Sequence, residues 1–599
     1  MCGYIGAVSF NQIDINRLVK DNEKIICRGP DEKVIDYGNF GKFNNYSNLN
    51  FGFIFNRLAI VDLSSKASQP MYSQKFNTLI MFNGEIYNHK ELRRELESKG
   101  VHFKSNNSDT EVILNGLSKY GLKFIDSIIG QFSIVFFDFR CDNILLIRDR
   151  MGQKPLFYKF DNHTISFSSN LKSLSSFTRS TAINTESLSE YINYGVVPSP
   201  NTILENIYKV KPGEVVQINT SNSKMNLNKE LYWKIDDYVG SEIFERKEFI
   251  NLFNDSVNIR KEADVEVASL LSGGIDSTSI VKALSEGKDN INTFSIGYQD
   301  PKYDESHWSK LVAEKYRTNH INEILTKPEL DKYINESLNI YDEPYSDPST
   351  VPSYVVSKLI SRYYKVAITG DGGDELLGGY DRVQQILNYK KFNSKIIESV
   401  FKAYPSRFGT GNVIASRSKN LEFNYSSYFS DKKLLSLLEI NDNFKFEENF
   451  MNSNHEGIKR FLITDYKFFL SEMMMLKVDR TSMHNSVEAR SPFVDHRLVE
   501  YCIGKNLDFL EGKSKIILKE YLNPDFSIQF TERPKMGFVF NLESWIYENL
   551  ENISDQINDG KISEMFNMSN FRSINHRKSR INAQRIWKLL TLENFLQDI

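Results

Sequence analysis

The segment 270–279, Leu-Leu-Ser-Gly-Gly-Ile-Asp-Ser-Thr-Ser, constrains the fold of this chain more than any other stretch. A β-like run at 265–271 leads into it, and apolar residues at helical spacing over 278–284 predict a helix directly after it. A strand therefore feeds a Ser-Gly-Gly turn that opens onto a helix N-terminus. Adjacent glycines let backbone N–H groups turn toward an anion, and the helix dipole adds partial positive charge at the same place. Ser272 and Ser277 add hydroxyl donors, while Asp276 is placed to hold a Mg²⁺ beside bound phosphates. The spacing is not that of the Walker loop, which needs Gly-x-x-x-x-Gly-Lys-Ser/Thr.

With 599 residues the chain has room for two or more domains and an ample core. A formal net charge of −3 leaves no basic excess to neutralise phosphates, which argues against a nucleic-acid partner. Scattered basic residues such as Lys513, Lys515 and Lys519 read as solvated faces. No window approaches the roughly eighteen apolar residues of a membrane span, and the N-terminus lacks a basic region followed by an apolar one. The four cysteines (Cys2, Cys27, Cys141, Cys502) lie far apart with no Cys-x-x-Cys pair, which fits a reducing, cytoplasmic setting better than a disulfide or zinc framework.

The chain begins Met-Cys-Gly-Tyr-Ile-Gly. Removal of Met1 would leave Cys2 with a free α-amine, whose reference pKa of about 7.7–8.0 suits it to act as base toward its own thiol. Such a nucleophile needs no histidine partner. Five motifs follow in order: Arg28-Gly29-Pro30-Asp31, Arg57-Leu58-Ala59-Ile60-Val61-Asp62, Ser68-Gln69-Pro70-Met71, Phe82-Asn83-Gly84-Glu85-Ile86-Tyr87-Asn88 and Ser108-Asp109-Thr110-Glu111. Short β-like runs at 51–55, 79–82, 132–137 and 144–147, with an amphipathic helix at 90–99, make this an α+β pattern rich in strands. This part resembles the class II (N-terminal nucleophile) glutamine amidotransferases, and specifically the glutaminase half of the asparagine synthetase family. The resemblance implies that Cys2 attacks the carboxamide of glutamine to form a thioester. It assigns Asn83 and Gly84 to the oxyanion hole, Arg57 with Leu58, Ala59, Ile60 and Val61 to glutamine binding, and Glu85 and Asp109 to the glutamine α-ammonium group. One departure is visible: the family has His before Arg-Gly-Pro-Asp, where this chain has Cys27.

A Pro- and Gly-marked connector over 174–233 leads to a second part in which helices and strands alternate. Strands are expected at 293–296, 320–325 and 366–369, and helices at 306–316, 330–340 and 351–363. Such alternation implies a parallel, doubly wound sheet with its ligand at the strands' carboxyl ends. The strand at 366–369 runs into Gly370-Asp371-Gly372-Gly373-Asp374-Glu375, which brings two acids toward the first loop. The first loop, Ser272-Gly273-Gly274-x-Asp276-Ser277, resembles the pyrophosphate loop of enzymes that adenylate a carboxylate. By the same family resemblance Asp276 and Asp374 hold the metal, Asp371 promotes amide formation, and Lys535, in Arg533-Pro534-Lys535, offsets charge on the phosphates. Leu271 and Ile296 match positions near adenine and ribose, as Thr369 and Gly370 match a third nucleotide contact. Leu271 and Ile296 fit plain core equally well. Lys477, Asp479 and Arg480 match the family too and also read as a structural ion-pair network.

The implied architecture is an α+β glutaminase domain of stacked antiparallel sheets over 2–210, then an α/β ATP-pyrophosphatase-type synthetase domain over 235–599 with a helical C-terminal part. The implied substrates are glutamine, aspartate and ATP with Mg²⁺, in a protein with no membrane partner and with the homodimeric state the family suggests. A sugar acid in place of aspartate remains open on the residues alone, and a silent metabolite-binding regulator is disfavoured by the presence of Cys2, Asp276 and Asp374.

Overall fold

The computed structural model describes residues 2–43, 49–220, 224–287, 290–387, 396, 399–400, 404, 421–441, 444–451, 454–534, 537–568, 574 and 578–599. The strands of the first part are β1 (Cys2–Ser9), β2 (Glu32–Asn39), β3 (Asn50–Arg57), β4 (Met71–Ser73), β5 (Thr78–Ile86), β6 (Gly130–Asp138), β7 (Asn143–Arg148), β8 (Phe157–Asp161), β9 (Thr164–Ser168), β10 (Tyr208–Lys209), β11 (Glu214–Asn219) and β12 (Asn226–Leu231). They form two six-stranded antiparallel sheets, ordered β10-β8-β9-β1-β3-β2 and β12-β11-β7-β6-β5-β4.

Successive side chains of a strand point to opposite faces, so each sheet buries two different sets. Tyr4, Phe53 and Phe55 of one sheet meet Met81, Val135, Phe137 and Leu146 of the other. On the far side of the first sheet, Ile5 and Ile54 pack against Leu18 and Ile25. On the far side of the second, Ile80, Phe82 and Ile134 meet Leu92, Leu96, Val112 and Ile113 of the helices His89–Ser98 and Asp109–Tyr120. Two stacked antiparallel sheets are thus flanked by helices, as expected. The helix Asp109–Tyr120 was not anticipated: it is buried over nearly its entire length, so it shows no polar face to mark it.

The second part is organised by five parallel strands, β13 (Val267–Leu270), β14 (Asn292–Tyr298), β15 (Asn319–Leu325), β16 (Val366–Ile368) and β17 (Glu488–Arg490). Their order is β15-β14-β13-β16-β17, with helices Ile275–Ser285, Ser306–Tyr316 and Thr350–Ser361 in the connections. The order reverses between β13 and β16, and the crevice at their carboxyl ends is where such a sheet takes its ligand. Within this sheet β17 is the strand that the sequence hid, since Glu-Ala-Arg carries no β pattern.

The C-terminal helix Arg580–Gln597 returns to the connector helix Thr185–Tyr194. The Tyr191 hydroxyl donates to the Lys588 carbonyl at 2.8 Å, and the Lys588 ammonium donates to the Ile192 carbonyl at 2.9 Å. Trp545, Trp587 and Leu590 form one apolar cluster with Leu174, Tyr191 and Ile192. The motif-free tail therefore clamps the two parts together. Among the described residues, no helix is long and apolar enough to cross a membrane.

Candidate active sites

Cys2 opens β1 and pairs across the ladder with Arg57, the last residue of β3. The Cys2 thiol lines a small cavity with Arg57, Gly84, Glu85, Ser108 and Asp109. The Cys2 backbone N–H donates to Asn83 Oδ1 at 3.0 Å, and the Asn83 amide nitrogen donates to Ser133 Oγ at 3.5 Å. Gly84 follows in β5 with φ of +159°, and a Cβ there would lie 2.0 Å from the Gln131 carbonyl oxygen. No side chain fits at position 84.

The Arg57 guanidinium donates to the carbonyls of Asp62 and of Ser64, the latter at 2.9 Å, and pairs with Glu32 at 3.3 Å. These bonds hold the loop after β3 against the cavity. Leu58, Ile60 and Val61 wall the cavity and also pack with Val366 and Met483 of the second part. Ala59 does not line it; its N–H donates to Asp31 of the Arg-Gly-Pro-Asp motif at 2.7 Å. Asp109 starts its helix, where Ser108 caps, and its carboxylate accepts from Ile86 N–H at 3.2 Å and Thr110 N–H at 2.7 Å.

Burial dominates the electrostatics here. It raises the pKa of Asp109 despite His89 and the backbone donors, and it raises Glu85 well above the usual range although Arg490 opposes it. Arg490 Nη2 lies 3.1 Å from Glu85 Oε2, so a residue of β17 reaches the wall of the first cavity. Burial also pushes the Cys2 thiol up, with the Leu58 backbone and Arg57 working against it. A thiol in this setting needs a base beside it to become a nucleophile.

The two parts meet around a second cavity, walled by Gln153, Leu156 and Phe157 on one side and by Ser471, Met475 and Leu476 on the other. Arg28 Nε donates to the Cys2 carbonyl at 3.2 Å, while its two terminal nitrogens donate to Asp479 at 2.7 and 3.0 Å. Arg480 joins Asp479 at 2.8 Å to Asp342 at 2.6 Å, and Lys154 lies 3.6 Å from Asp479. Burial acts to raise the Asp479 pKa, but Arg28, Lys154 and Arg480 outweigh it and hold the carboxyl well below its ordinary value. Asp479 and Arg480 thus form a buried ion network. Lys477 stands apart from it and donates to Ser349 at 2.9 Å.

At the sheet's switch point, Gly274 caps the helix Ile275–Ser285, and its N–H donates to Ser272 Oγ at 3.3 Å. Ser272 and Ser277 hydroxyls lie 3.2 Å apart. Gly273 takes φ of +78°, and a Cβ on it would lie 2.7 Å from Ser309 N, so the turn depends on glycine for both conformation and room. The second loop lies directly against the first: Cβ atoms built on Gly370 and Gly373 would lie 3.1 Å from Asp276 Cβ and 2.5 Å from Asp276 Oδ1. Thr369 is buried, with its N–H donating to the Arg490 carbonyl at 2.9 Å, and Asp371 is half-buried, with its carbonyl accepting from Ser491. Leu271 and Ile296 place their side chains in apolar clusters.

One expectation is overturned. Lys515 is no solvated lysine: it is buried, 2.5 Å from Asp276 Oδ2 and 2.6 Å from Asp374 Oδ1. Sequence context suggests solvent because its neighbours Glu511, Gly512 and Lys513 are exposed; only the fold brings two carboxylates to it. Burial acts to lower its pKa, and the two aspartates hold it above the ordinary lysine value. Arg533 was also missed as a site residue. Its guanidinium donates to the Gly273 carbonyl and lies 4.5 Å from the Trp308 ring centroid, so it braces the first loop. Its place in Arg-Pro-Lys was the available signal. Lys535 itself lies outside the described residues.

Residues 248–597 match the family model described as asparagine synthase, and residues 1–233 match the glutamine amidotransferase domain. Asparagine synthetase (glutamine-hydrolyzing) 1 of Bacillus subtilis (strain 168) is 29% identical, over 91% of this chain and 88% of its own length. Asparagine synthetase (glutamine-hydrolyzing) 2 of the same organism is 28% identical, over 100% of this chain and 78% of its own length. Taken with the two sites, these matches define a glutamine-hydrolysing ligase. The chain belongs to the asparagine synthase family.

Proposed function

We propose that the chain is a glutamine-dependent asparagine synthetase that amidates the side chain of aspartate. The observation that carries this reading is one chain holding both a buried thiol in a polar cavity and a pair of carboxylates at a parallel-sheet switch point. With Met1 removed, the Cys2 amine takes the thiol proton and Sγ attacks the glutamine carboxamide carbon. Asn83 and Gly84 would donate to the oxygen that becomes negative, and one such donor is worth about 10²–10³ in rate. Collapse expels ammonia, which carries the proton back from the amine, and water cleaves the remaining thioester to glutamate. Arg57 would hold the α-carboxylate. Glu85 and Asp109 would face the α-ammonium group, whose charge relieves the penalty of burying two acids together.

In the second site ATP would lay its phosphates on 272–277, with Leu271, Ile296, Thr369 and Gly370 around the nucleoside. A carboxylate oxygen of aspartate attacks the α-phosphorus and pyrophosphate leaves; ammonia then attacks the acyl carbon of β-aspartyl-AMP and AMP leaves. Asp371 would take the surplus proton and Lys535 would offset the charge of the pyrophosphate. The donor set fits Mg²⁺, a cation of carboxylate and phosphate oxygens. Asp276 and Asp374 already share one cationic group, and Gly373 and Gly379 leave them room that a Cβ would fill. When bound, the ion supplies charge neutralisation for the departing pyrophosphate. Ammonia released into water at neutral pH would be protonated and no longer nucleophilic, so an enclosed passage between the two sites is required by this reading.

The relatives' activity, over nearly the whole chain, supports aspartate as acceptor. The test is a pyrophosphate-release screen across carboxylic acids with glutamine as donor. Aspartate should give the highest turnover with AMP as co-product. A sugar acid that works where aspartate does not would overturn the acceptor, and ADP with phosphate as products would overturn the adenylation.

A further inference from the structure

Two negative groups and one positive group share the floor of the second site. The Lys515 ammonium lies 2.5 Å from Asp276 Oδ2 and 2.6 Å from Asp374 Oδ1, so the carboxylates assigned above to a divalent cation already have a cation between them. Lys515 is not a surface chain that has swung inward. It is only 5% exposed, its φ is +53°, and its backbone N–H donates to the Leu377 carbonyl at 3.2 Å, which anchors it to the turn after Asp374. Room for the ammonium is built in: a Cβ on Gly379 would lie 1.9 Å from Asp374 Oδ1 and 2.4 Å from Lys515 Cε. The helix that Lys515 caps, Ile516–Leu522, packs its Leu522 with Val281 of the helix behind the phosphate loop.

We propose that Lys515 is the resident counter-ion of the metal site, excluding a free divalent cation until nucleotide phosphates arrive. The proposal rests on the ATP–Mg²⁺ reading of Asp276 and Asp374. A divalent cation entering alone must either sit beside a buried ammonium or break two charge-assisted hydrogen bonds and strand the lysine without a partner. A polyphosphate changes that balance. Its anionic oxygens offer the ammonium new acceptors within a short swing of the side chain, and both carboxylates then turn to the metal. Metal and nucleotide therefore enter as one unit, and Lys515 passes from the carboxylates to the phosphates as they do.

The test titrates Mn²⁺ alone into the full-length protein without nucleotide, with free Mn²⁺ read by electron paramagnetic resonance. Wild type and Lys515→Arg, which keep the positive charge, should bind Mn²⁺ at least about tenfold more weakly than Lys515→Met and Lys515→Gln. Addition of a non-hydrolysable ATP analogue should close that gap. Asp276→Asn in the Lys515→Met background should return binding to the wild-type level. Tight Mn²⁺ binding by wild type without nucleotide would overturn the exclusion while leaving the cation assignment standing, and that measurement needs no variant to fold. Failure of wild type and every variant to bind Mn²⁺, with or without the analogue, would overturn the cation assignment and the proposal together.

Discussion

Asp479→Asn should loosen the joint between the two parts and uncouple the two reactions. The buried cluster sets Arg28, Lys154 and Arg480 against Asp479 and Asp342. The substitution keeps the side chain's shape but leaves three cations facing one carboxylate. Removing one partner of a buried pair costs about 3–5 kcal/mol, and the retained amide oxygen should keep the loss near the lower end. The folded-state pKa of Asp479 lies below its ordinary value. Its stabilisation is therefore fully present above the unfolded carboxyl pKa of about 3.9 and is lost as pH falls below that. Urea unfolding across a pH series should show a wild-type-to-variant gap that is constant from neutrality to about pH 5 and shrinks below about pH 4. In the same variant Arg28, which reaches the Cys2 carbonyl at 3.2 Å, loses its anchor. Product amide formed per glutamate released should fall below one, while synthesis from added ammonia persists. A gap under about 1 kcal/mol, the scale of an exposed ion pair, or one that widens on acidification, would refute the reasoning.

Cys2→Ala should abolish glutamine-dependent synthesis and leave ammonia-dependent synthesis intact, because on the proposed mechanism only the first site loses its nucleophile; equal loss of both, measured as pyrophosphate release, contradicts two separate sites. Gly84→Ala should destabilise the first part by about 1–3 kcal/mol and remove glutaminase activity, since its methyl group would press on the Gln131 carbonyl. A thermal melt unchanged from wild type would show that β5 yields at that point.

Both glycine loops were legible in the sequence for a physical reason. A backbone that must turn tightly and approach another chain segment demands small residues at fixed offsets, and Gly273 and Gly373 meet that demand. The short apolar runs of β3 and β6 were legible because each sheet buries both faces, which calls for near-continuous apolar residues. Two of the elements that stayed hidden show why. The helix Asp109–Tyr120 is so thoroughly buried that no periodic contrast marks it, and β17 is three residues of a charged sequence whose strand character comes from β16 beside it.

The hidden features of the sites are pairings between residues far apart along the chain. Arg28 meets Asp479, Glu85 meets Arg490, and Lys515 meets Asp276. None of these pairs is encoded by spacing, because a charge announces solvent until the fold supplies its opposite. Two of the three pairs also cross from the first part to the second. The motifs thus describe each site separately, whereas the connection between the sites resides in buried charge pairs. A charge is expensive to bury alone and stable only when paired, so the two parts cannot separate without exposing or stranding Arg28, Asp479, Glu85 and Arg490. That penalty holds the thiol and the phosphate loops in one fixed relation, as the ammonia passage proposed above would require.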